Sequence, residues 1–299
     1  MPNRSSLNAM RVAPYVFVLP FILSFLIFYL YPIISTIVMS FQQVYPGQVD
    51  FIGLGNYSKL KNPEFEVALI NSARYTVYTI ALLIPLPLLL AVLLNAGNRK
   101  INALYRSLLY IPSLVSIVVA GTIMRLLLAS SSRSIVNTLV GLFGVEPRQW
   151  LLGGSTQAMI LLLILALWRW TGVNIIYFLS GLQNIPNELY EAADIDGASA
   201  LQKLWRITVP LLKRTTIFVT TISIFGGFAM FEESFILWTG RPSPNNVGLT
   251  IVGHLYFKGF KDGEMGMASA IGIILLIIVF TLSVSFLKIF GFFKEDGSN

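Results

Sequence analysis

The sequence predicts an all-α protein that crosses a lipid bilayer about six times. Of its 299 residues, 55% are apolar and only 12% are charged, and the mean hydropathy is +0.73. Soluble domains are about one-quarter charged, so this chain cannot cover a water-facing surface of ordinary area. The composition therefore indicates an integral membrane protein, and it favours transport over the chemistry of a soluble enzyme.

Six long apolar runs make up most of the chain. Each is long enough to cross ~30 Å of hydrocarbon at about 1.5 Å per helical residue. Because an unpaired peptide group is costly in lipid, each run is expected to be helical. Four prolines lie within or beside these runs, at Pro20, Pro32, Pro85 and Pro87. They predict kinks whose freed carbonyls are satisfied by neighbouring helices or by water. The runs are 13–41, 75–94, 108–129, 158–179, 217–237 and 267–287.

The basic residues predict the orientation of the chain. Cytoplasmic loops of membrane proteins are enriched in Lys and Arg. With the N-terminus inside, the inner segments carry the larger share, so both termini are expected in the cytoplasm. The inner residues are Arg4, Arg11, Arg99, Lys100, Arg106, Lys203, Arg206, Lys213, Arg214, Lys288 and Lys294. The outer residues are Lys59, Lys61, Arg133, Arg148, Arg241, Lys258 and Lys261.

Several classes of function are excluded by composition. The net charge is +7, but the basic residues are scattered through short loops and form no patch that would bind nucleic acid. The chain contains no Cys, which removes thiolate nucleophiles and thiolate metal sites. It contains a single His, His254, so a multi-histidine metal site is also excluded. We therefore expect no metal ion to be bound by this chain.

A polar segment, 184–214, separates the fourth and fifth runs, and it is too regular for a slack loop. Gly197 can adopt a positive φ, so a short helix can end there. Leu201 and Trp205 then lie on one apolar face of a second short helix. Pro210 breaks or restarts the chain before the fifth run. The pattern predicts two short helices hinged at a glycine, either a docking element for another protein or an interfacial helix lying against the inner leaflet.

This segment resembles the EAA loop of the permeases of ABC importers. The form EAADIDGA at 191–198, followed by ITVP at 207–210, is similar to the variant found in the carbohydrate-uptake (maltose-type) permeases. One departure is Val209, where the family usually has Leu. By this resemblance, the coupling residues that seat in the ATPase and tie the loop to the fifth span would be Glu191, Ala192, Ala193, Gly197, Ile207 and Pro210.

The resemblance extends along almost the whole chain. FIGLGNY at 51–57 is similar to the first external loop of these permeases, and GMASA at 266–270 to the start of their last helix. The stretch 239–246, TGRPSPNN, departs from the glycine-rich sequence that is common there. Within the family, 168–186 and 226–238 are most similar to the members that take up arabinose-containing oligosaccharides.

The resemblance implies one subunit of a larger machine. A second homologous permease would pair with this chain, a cytoplasmic ATPase dimer would bind beneath it, and an extracellular binding protein would deliver an oligosaccharide. The sequence has no G-x-x-x-x-G-K-[ST] phosphate loop. ATP and Mg would therefore be bound by the ATPase, and this chain would bind no cofactor. It would be a single, non-catalytic permease domain, 1–299, in a bacterial cell membrane.

Ionisable and aromatic residues within the predicted spans are candidates for contact with the sugar. Charged residues are costly in lipid and normally face a bundle interior or a wet cavity. Sugars offer hydroxyls for hydrogen bonds and an apolar ring face for aromatic stacking. The alternatives are packing for the aromatic rings and an ion pair or interhelical hydrogen bond for the carboxylates. The candidates are Trp168, Arg169, Asn174, Tyr177, Phe231, Glu232 and Glu233.

Three other functions compete with oligosaccharide import. An ABC permease for another solute, such as glycerol phosphate, is the closest rival. The EAA loop indicates coupling to an ATPase, but it does not indicate which solute is transported. An ion-driven secondary transporter would use the pair Glu232-Glu233 but would not need the polar segment 184–214. A membrane enzyme is disfavoured, since neighbouring side chains on a helix point about 100° apart and do not flank one bond.

Overall fold

The computed structural model describes residues 4–45, 47–97, 99–131, 134–240 and 243–292. Three basic residues of the orientation argument, Arg133, Arg241 and Lys294, lie outside these ranges. Within them the chain is mainly helical. In chain order the elements are α1 Arg4–Phe25, α2 Tyr31–Ser40, β1 Gln42–Tyr45, β2 Gln48–Phe51, α3 Gly55–Lys59, α4 Pro63–Leu83, α5 Pro85–Asn95, α6 Arg99–Leu114, α7 Ile117–Leu127, α8 Ile135–Gly141, α9 Ser155–Gln183, α10 Asn187–Ile195, α11 Ala200–Lys203, α12 Val209–Leu211, α13 Lys213–Phe228, α14 Glu232–Leu237, α15 Ile251–Tyr256 and α16 Met265–Ile289. Wider π turns occupy Leu26–Leu30, Leu204–Thr208 and Phe257–Lys261.

Up to six stretches of the described residues have the length and hydropathy of a membrane span. Four are continuous or nearly so: Ala13–Ser40, Pro63–Asn95, Ser155–Gln183 and Met265–Ile289. Two more are bent pairs. Lys100–Leu114 meets α7 at 97°, and Ala200–Leu211 meets α13 at 67°. The prediction of an all-α polytopic membrane protein with about six spans is confirmed.

Two predicted spans are interrupted where the sequence suggested continuous helices. The run 108–129 breaks after Leu114, where the N–H of Val115 donates to the carbonyl of Pro112 three residues back and tightens the final turn. Ser116 is then non-helical, with φ −55° and ψ 140°. The run 217–237 leaves the helix between α13 and α14, where Phe231 has φ −150°.

The chain divides into two compact units. The first comprises Met1–Lys61 and Leu255–Ile274, and the second comprises Asn62–His254 and Leu275–Asn299. The first unit contains a small antiparallel ladder of β1 and β2, which was not predicted from the sequence. Short polar strands beside a turn differ little from a loop in hydropathy, so the pattern of apolar runs gives no sign of them.

Asn56 holds the first unit together. Its side-chain amide donates to the carbonyls of Ser40 at 2.9 Å and Gln42 at 2.8 Å, and the Tyr57 hydroxyl donates to the Ser40 hydroxyl at 2.7 Å. Gly266 lies against the Gln42 carbonyl, because a Cβ added at Gly266 would be 1.9 Å from that oxygen. The motifs at 51–57 and 266–270 therefore meet in space.

The second unit is organised around α9. This 29-residue helix packs against α4, α5 and α6, and α13 packs against α4. Two apolar clusters fill the interior. One includes Tyr75, Leu162, Leu165 and Trp238, and the other includes Ala91, Phe178, Leu182 and Leu212. Neither cluster needs any residue of the first unit.

The carbonyl freed by Pro87 is satisfied by a neighbouring helix, as predicted. Proline has no N–H, so Pro87 cannot bond to the carbonyl of Leu83 one turn earlier. The side-chain amide of Asn174, on α9, donates to that carbonyl at 2.9 Å. Asn174 is itself buried, so the bond pairs two groups that have no access to bulk water.

Gly172 is the point of closest approach between α6 and α9. A Cβ added at Gly172 would lie 2.0 Å from the carbonyl oxygen of Leu109 and 2.8 Å from the Cα of Tyr110, both of them backbone atoms. We predict that Gly172→Ala forces the two helices apart and lowers the free energy of unfolding by about 1–3 kcal/mol. The expected result is a fall in Tm of roughly 5 °C in a thermal-shift measurement on the purified complex.

The matched control is Gly226→Ala in α13, because a Cβ there would meet nothing within 4 Å. Alanine is the better helix former, so the Tm of Gly226→Ala should be unchanged or slightly higher. Equal Tm values for the two variants would contradict the assignment of Gly172 as a contact between backbones.

Candidate functional site

A cavity of about 370 Å³ lies in the second unit, between α4, α9, α13 and the beginning of α14. Its wall combines aromatic, hydroxyl, amide and carboxylate groups, the set that can bind a polyhydroxylated molecule. The lining residues include Tyr75, Thr79, Trp170, Asn174, Ser223, Met230, Phe231, Glu232 and Glu233.

The break between α13 and α14 shapes one side of this cavity. The carbonyl of Met230, within the break, accepts a hydrogen bond from the Thr250 hydroxyl at 2.6 Å. The next residue, Ile251, donates its N–H to the Ser72 hydroxyl on α4 at 3.0 Å. At the end of α13, Gly227 lies against Thr76, where an added Cβ would meet the hydroxyl oxygen at 2.5 Å. The break is therefore fixed from two directions, and Glu232 and Glu233 follow it in the first turn of α14.

The structure brings together four of the seven predicted sugar contacts. Asn174, Phe231, Glu232 and Glu233 line the cavity, whereas the other three candidates do not. Those three are Trp168, Arg169 and Tyr177, and their contact with sugar stays a prediction.

Trp170 also lines the cavity and was missed from the sequence. It lies four residues before Asn174, so the two side chains share a face of α9, whereas Trp168 lies six residues before Asn174. The four-residue spacing from Asn174 selects Trp170 over Trp168 only once the structure shows that Asn174 borders the cavity.

Arg169 supports the neighbouring break between α6 and α7. Its guanidinium donates to the carbonyl of Val115 at 2.8 Å, and lies 5.4 Å from the centre of the Trp170 ring. Arg169 thus fixes the backbone of one helix and the orientation of one cavity ring.

Tyr177 packs on α13, away from the cavity. Its ring meets Phe218 edge to face with centroids 5.3 Å apart. The ring also borders the second apolar cluster of the unit.

The segment 184–214 forms the two short helices that were predicted. α10 ends before Gly197, which has φ +75°, and α11 begins after Ser199. Ser199 and Gln202 form a reciprocal capping box at the beginning of α11. Glu191 and Ala192 are exposed, Ala193 is half-buried, and Ile195 is 88% exposed. The segment therefore presents an uncovered surface of small, acidic and apolar side chains.

Several contacts make this segment stiff. The Tyr190 and Thr208 hydroxyls are 2.9 Å apart, and Lys203 pairs with Asp194 across the glycine hinge. Ile207 is half-buried in the π turn, and Pro210 lies in α12 just before the 67° bend into α13. The Tyr190–Thr208 and Asp194–Lys203 contacts therefore each join a residue before Gly197 to one after it.

Comparisons with known proteins agree with this architecture. The chain is 51% identical to the AraP permease protein of the arabinooligosaccharide transport system of Bacillus subtilis (strain 168), over 96% of this chain and 91% of that protein. It is 48% identical to the AraP protein of Halalkalibacterium halodurans, over 96% of this chain and 90% of that protein.

A bacterial ABC transporter involved in the import of the acidic polysaccharide alginate contains a chain with the same fold. The TM-score is 0.87 at 23% identity, covering 98% of this chain and all of that one. Residues 83–290 match the family model described as the binding-protein-dependent transport system inner membrane component. That match covers more than half of the sequence, and the chain belongs to this family of inner-membrane transport components.

Proposed function

We propose that this chain is the transmembrane subunit of an ATP-driven ABC importer for oligosaccharides, and that it forms half of the translocation pathway. The observation that carries the proposal is the 51% identity, over 96% of the chain, to a permease of an arabinooligosaccharide transport system. The cavity beside α9 supports it because its wall offers both stacking and hydrogen-bonding groups.

The charges of the cavity favour a neutral sugar over glycerol phosphate. Glu232 and Glu233 both line the wall, and none of the described lining residues is Lys, Arg or His. Arg169 lies nearby, but its guanidinium is bonded to the carbonyl of Val115. A phosphate against this wall would meet two acidic side chains and no cation among the described lining residues, which is electrostatically unfavourable.

The segment 184–214 is proposed to couple this chain to a cytoplasmic ATPase dimer. In this proposal Glu191, Ala192, Ala193 and Gly197 seat in the ATPase. Ile207 and Pro210 transmit its movement to α13. ATP and Mg are bound by the ATPase alone, and a second homologous permease supplies the other half of the pathway. An extracellular binding protein delivers the sugar.

The proposed orientation of the chain in the membrane follows the distribution of its basic residues. Both termini lie in the cytoplasm, which places 184–214 inside and the beginnings of α4 and α9 outside. The full chain, 1–299, acts as one permease domain in the cell membrane. The two units of the fold are then parts of one transport subunit.

The glycine hinge of the coupling segment gives a direct test. Proline fixes φ near −65° and lacks an N–H, whereas Gly197 has φ +75° and donates to the Asp194 carbonyl at 3.1 Å. We predict that Gly197→Pro lowers ATP-driven sugar uptake in proteoliposomes by roughly tenfold or more, equivalent to about 1.4 kcal/mol of lost coupling. Glu191→Lys should act in the same direction, and ATP hydrolysis should cease to respond to sugar.

Gly144→Pro is the matched control on the predicted outer side. Gly144 has φ +76° and donates to the Gly141 carbonyl at 3.0 Å, so the same change disturbs an equivalent turn. Uptake by Gly144→Pro should stay close to wild type. If Gly197→Pro and Glu191→Lys transport normally, or if uptake follows a proton gradient without the ATPase, the coupling proposal is wrong.

A tryptophan pair tests the cavity. Trp170 and Trp168 are 41% and 38% exposed on the same helix, but only Trp170 lines the cavity. We predict that Trp170→Ala raises the KM of sugar uptake about fivefold, the effect of losing roughly 1 kcal/mol of aromatic stacking. Trp168→Ala should leave the KM within about twofold of wild type. A larger effect at Trp168 would instead support contact between Trp168 and the sugar, outside this cavity.

A further inference from the structure

Gly226 is a helical glycine whose lack of a side chain is not explained by packing. It lies inside α13, without the positive φ that would favour glycine, and a Cβ added there would meet nothing within 4 Å. Glycine is a weaker helix former than alanine, so the residue is unfavourable for the helix itself. The other glycines inside α7, α9 and α13 differ, because an added Cβ would come within 2.5 Å of a neighbouring residue at Gly121, Gly172, Gly181 and Gly227.

Gly226 lies on the face of α13 that borders the cavity of about 370 Å³. Ile222 and Ser223 line the wall four and three residues before it, and Ala229 and Met230 line it three and four residues after it. Residues at these spacings share one face of a helix. A side chain added at Gly226 would therefore extend into the open space of the cavity.

The helices α9 and α13 run in opposite directions along this cavity. Gly181 of α9 lies against Thr215 of α13, where an added Cβ would be 2.4 Å from the hydroxyl oxygen. Tyr177, four residues before Gly181, meets the ring of Phe218, three residues after Thr215. A step back along α9 therefore corresponds to a step forward along α13.

Trp170 lies at nearly the same level as Gly226. From the contact between Gly181 and Thr215, eleven residues lead back along α9 to Trp170 and eleven lead forward along α13 to Gly226. Both are thus about 16 Å of helix from that contact. Since both residues line the cavity, the Trp170 ring is on the α9 wall where the α13 wall is bare backbone.

The space between these two walls suits a sugar ring. An aromatic side chain stacks on the apolar face of a sugar, and Trp170 is the tryptophan that lines the cavity. A ring stacked on Trp170 needs room on its other face. The missing side chain at Gly226 provides that room, and a larger residue would take it.

We propose that Gly226 is a specificity-determining residue, because it leaves space for a sugar ring between α13 and Trp170. This role rests on the proposed function, which makes an oligosaccharide the occupant of the cavity. The bulk of residue 226 then limits what the cavity accepts at this level. The adjacent Gly227 has a different role, since it allows α13 to lie against Thr76 of α4.

The test is the uptake of radiolabelled arabinotriose by the whole transporter complex in proteoliposomes. Gly226→Leu should raise the KM by roughly tenfold or more, the effect of forcing a large side chain into occupied space. Gly226→Ala should raise the KM by at most about threefold, because it adds a single methyl group. Neither change should lower the Tm of the complex, since the space beside Gly226 is open in the folded chain.

Gly141→Leu is the matched control. Gly141, in α8, also has nothing within 4 Å of an added Cβ, but it does not line the cavity. The KM of Gly141→Leu should stay within about twofold of wild type. A wild-type KM for Gly226→Leu would overturn the proposal. So would a lower kcat at unchanged KM for Gly226→Ala, which would show a need for helix flexibility, or a lower Tm, which would show packing against the partner permease.

A double variant tests whether Trp170 and Gly226 act on the same sugar ring. If the two positions were independent, the expected effects of Trp170→Ala and Gly226→Leu would multiply to about fiftyfold in KM. Removal of the indole opens space beside the new leucine, so the double variant should stay well below that product. A fully multiplicative effect would overturn the shared-ring geometry. Absence of arabinotriose uptake by the wild-type complex would instead contradict the proposed function.

Discussion

Every peptide group that lies in hydrocarbon must form its hydrogen bond inside the protein. Three interrupted helices of the second unit have to meet this constraint. Each interruption leaves a carbonyl without its helical partner, and each of these carbonyls accepts from a side chain. Asn174 donates to Leu83, Arg169 donates to Val115, and Thr250 donates to Met230. Two of the three donors lie on α9, the helix that is itself unbroken over 29 residues. The unbroken helix α9 therefore supplies the hydrogen-bond donors that stabilise two of the three interrupted helices in lipid.

The same helix connects the cavity to the segment 184–214, for which the coupling role is proposed. Trp170 and Asn174 line the cavity from α9. At the other end of the helix, Gly181 lies so close to α13 that an added Cβ would be 2.4 Å from the Thr215 hydroxyl. α10 begins four residues after α9 ends. A displacement of 184–214 would thus reach both walls of the cavity through packed, rigid elements.

Family membership and the helical content confirm what the sequence predicted of the class: a polytopic, non-catalytic transport subunit of an ABC importer. The hydropathy of the runs predicted the spans and Gly197 predicted the hinge, because both are local properties, whereas the importer class came from the resemblance of 191–198 and 207–210 to the EAA loop. The break at Val115-Ser116 was missed since neither residue is a glycine or proline, and its stability comes from Arg169, 54 residues away. Trp168 was chosen over Trp170 for a similar reason, because only the three-dimensional position of Asn174 shows which face of α9 borders the cavity. The coupling and sugar-contact roles stay predictions.

The two cavities share α4 as a common wall. Tyr75 and Thr79 line the cavity of about 370 Å³, while their neighbours Arg74 and Tyr78 line a second, open groove of about 530 Å³ between α4 and α9. Consecutive residues on a helix point about 100° apart, so one rigid helix necessarily presents both surfaces. A group that packs in the groove would therefore also restrain α4 and, with it, one wall of the 370 Å³ cavity.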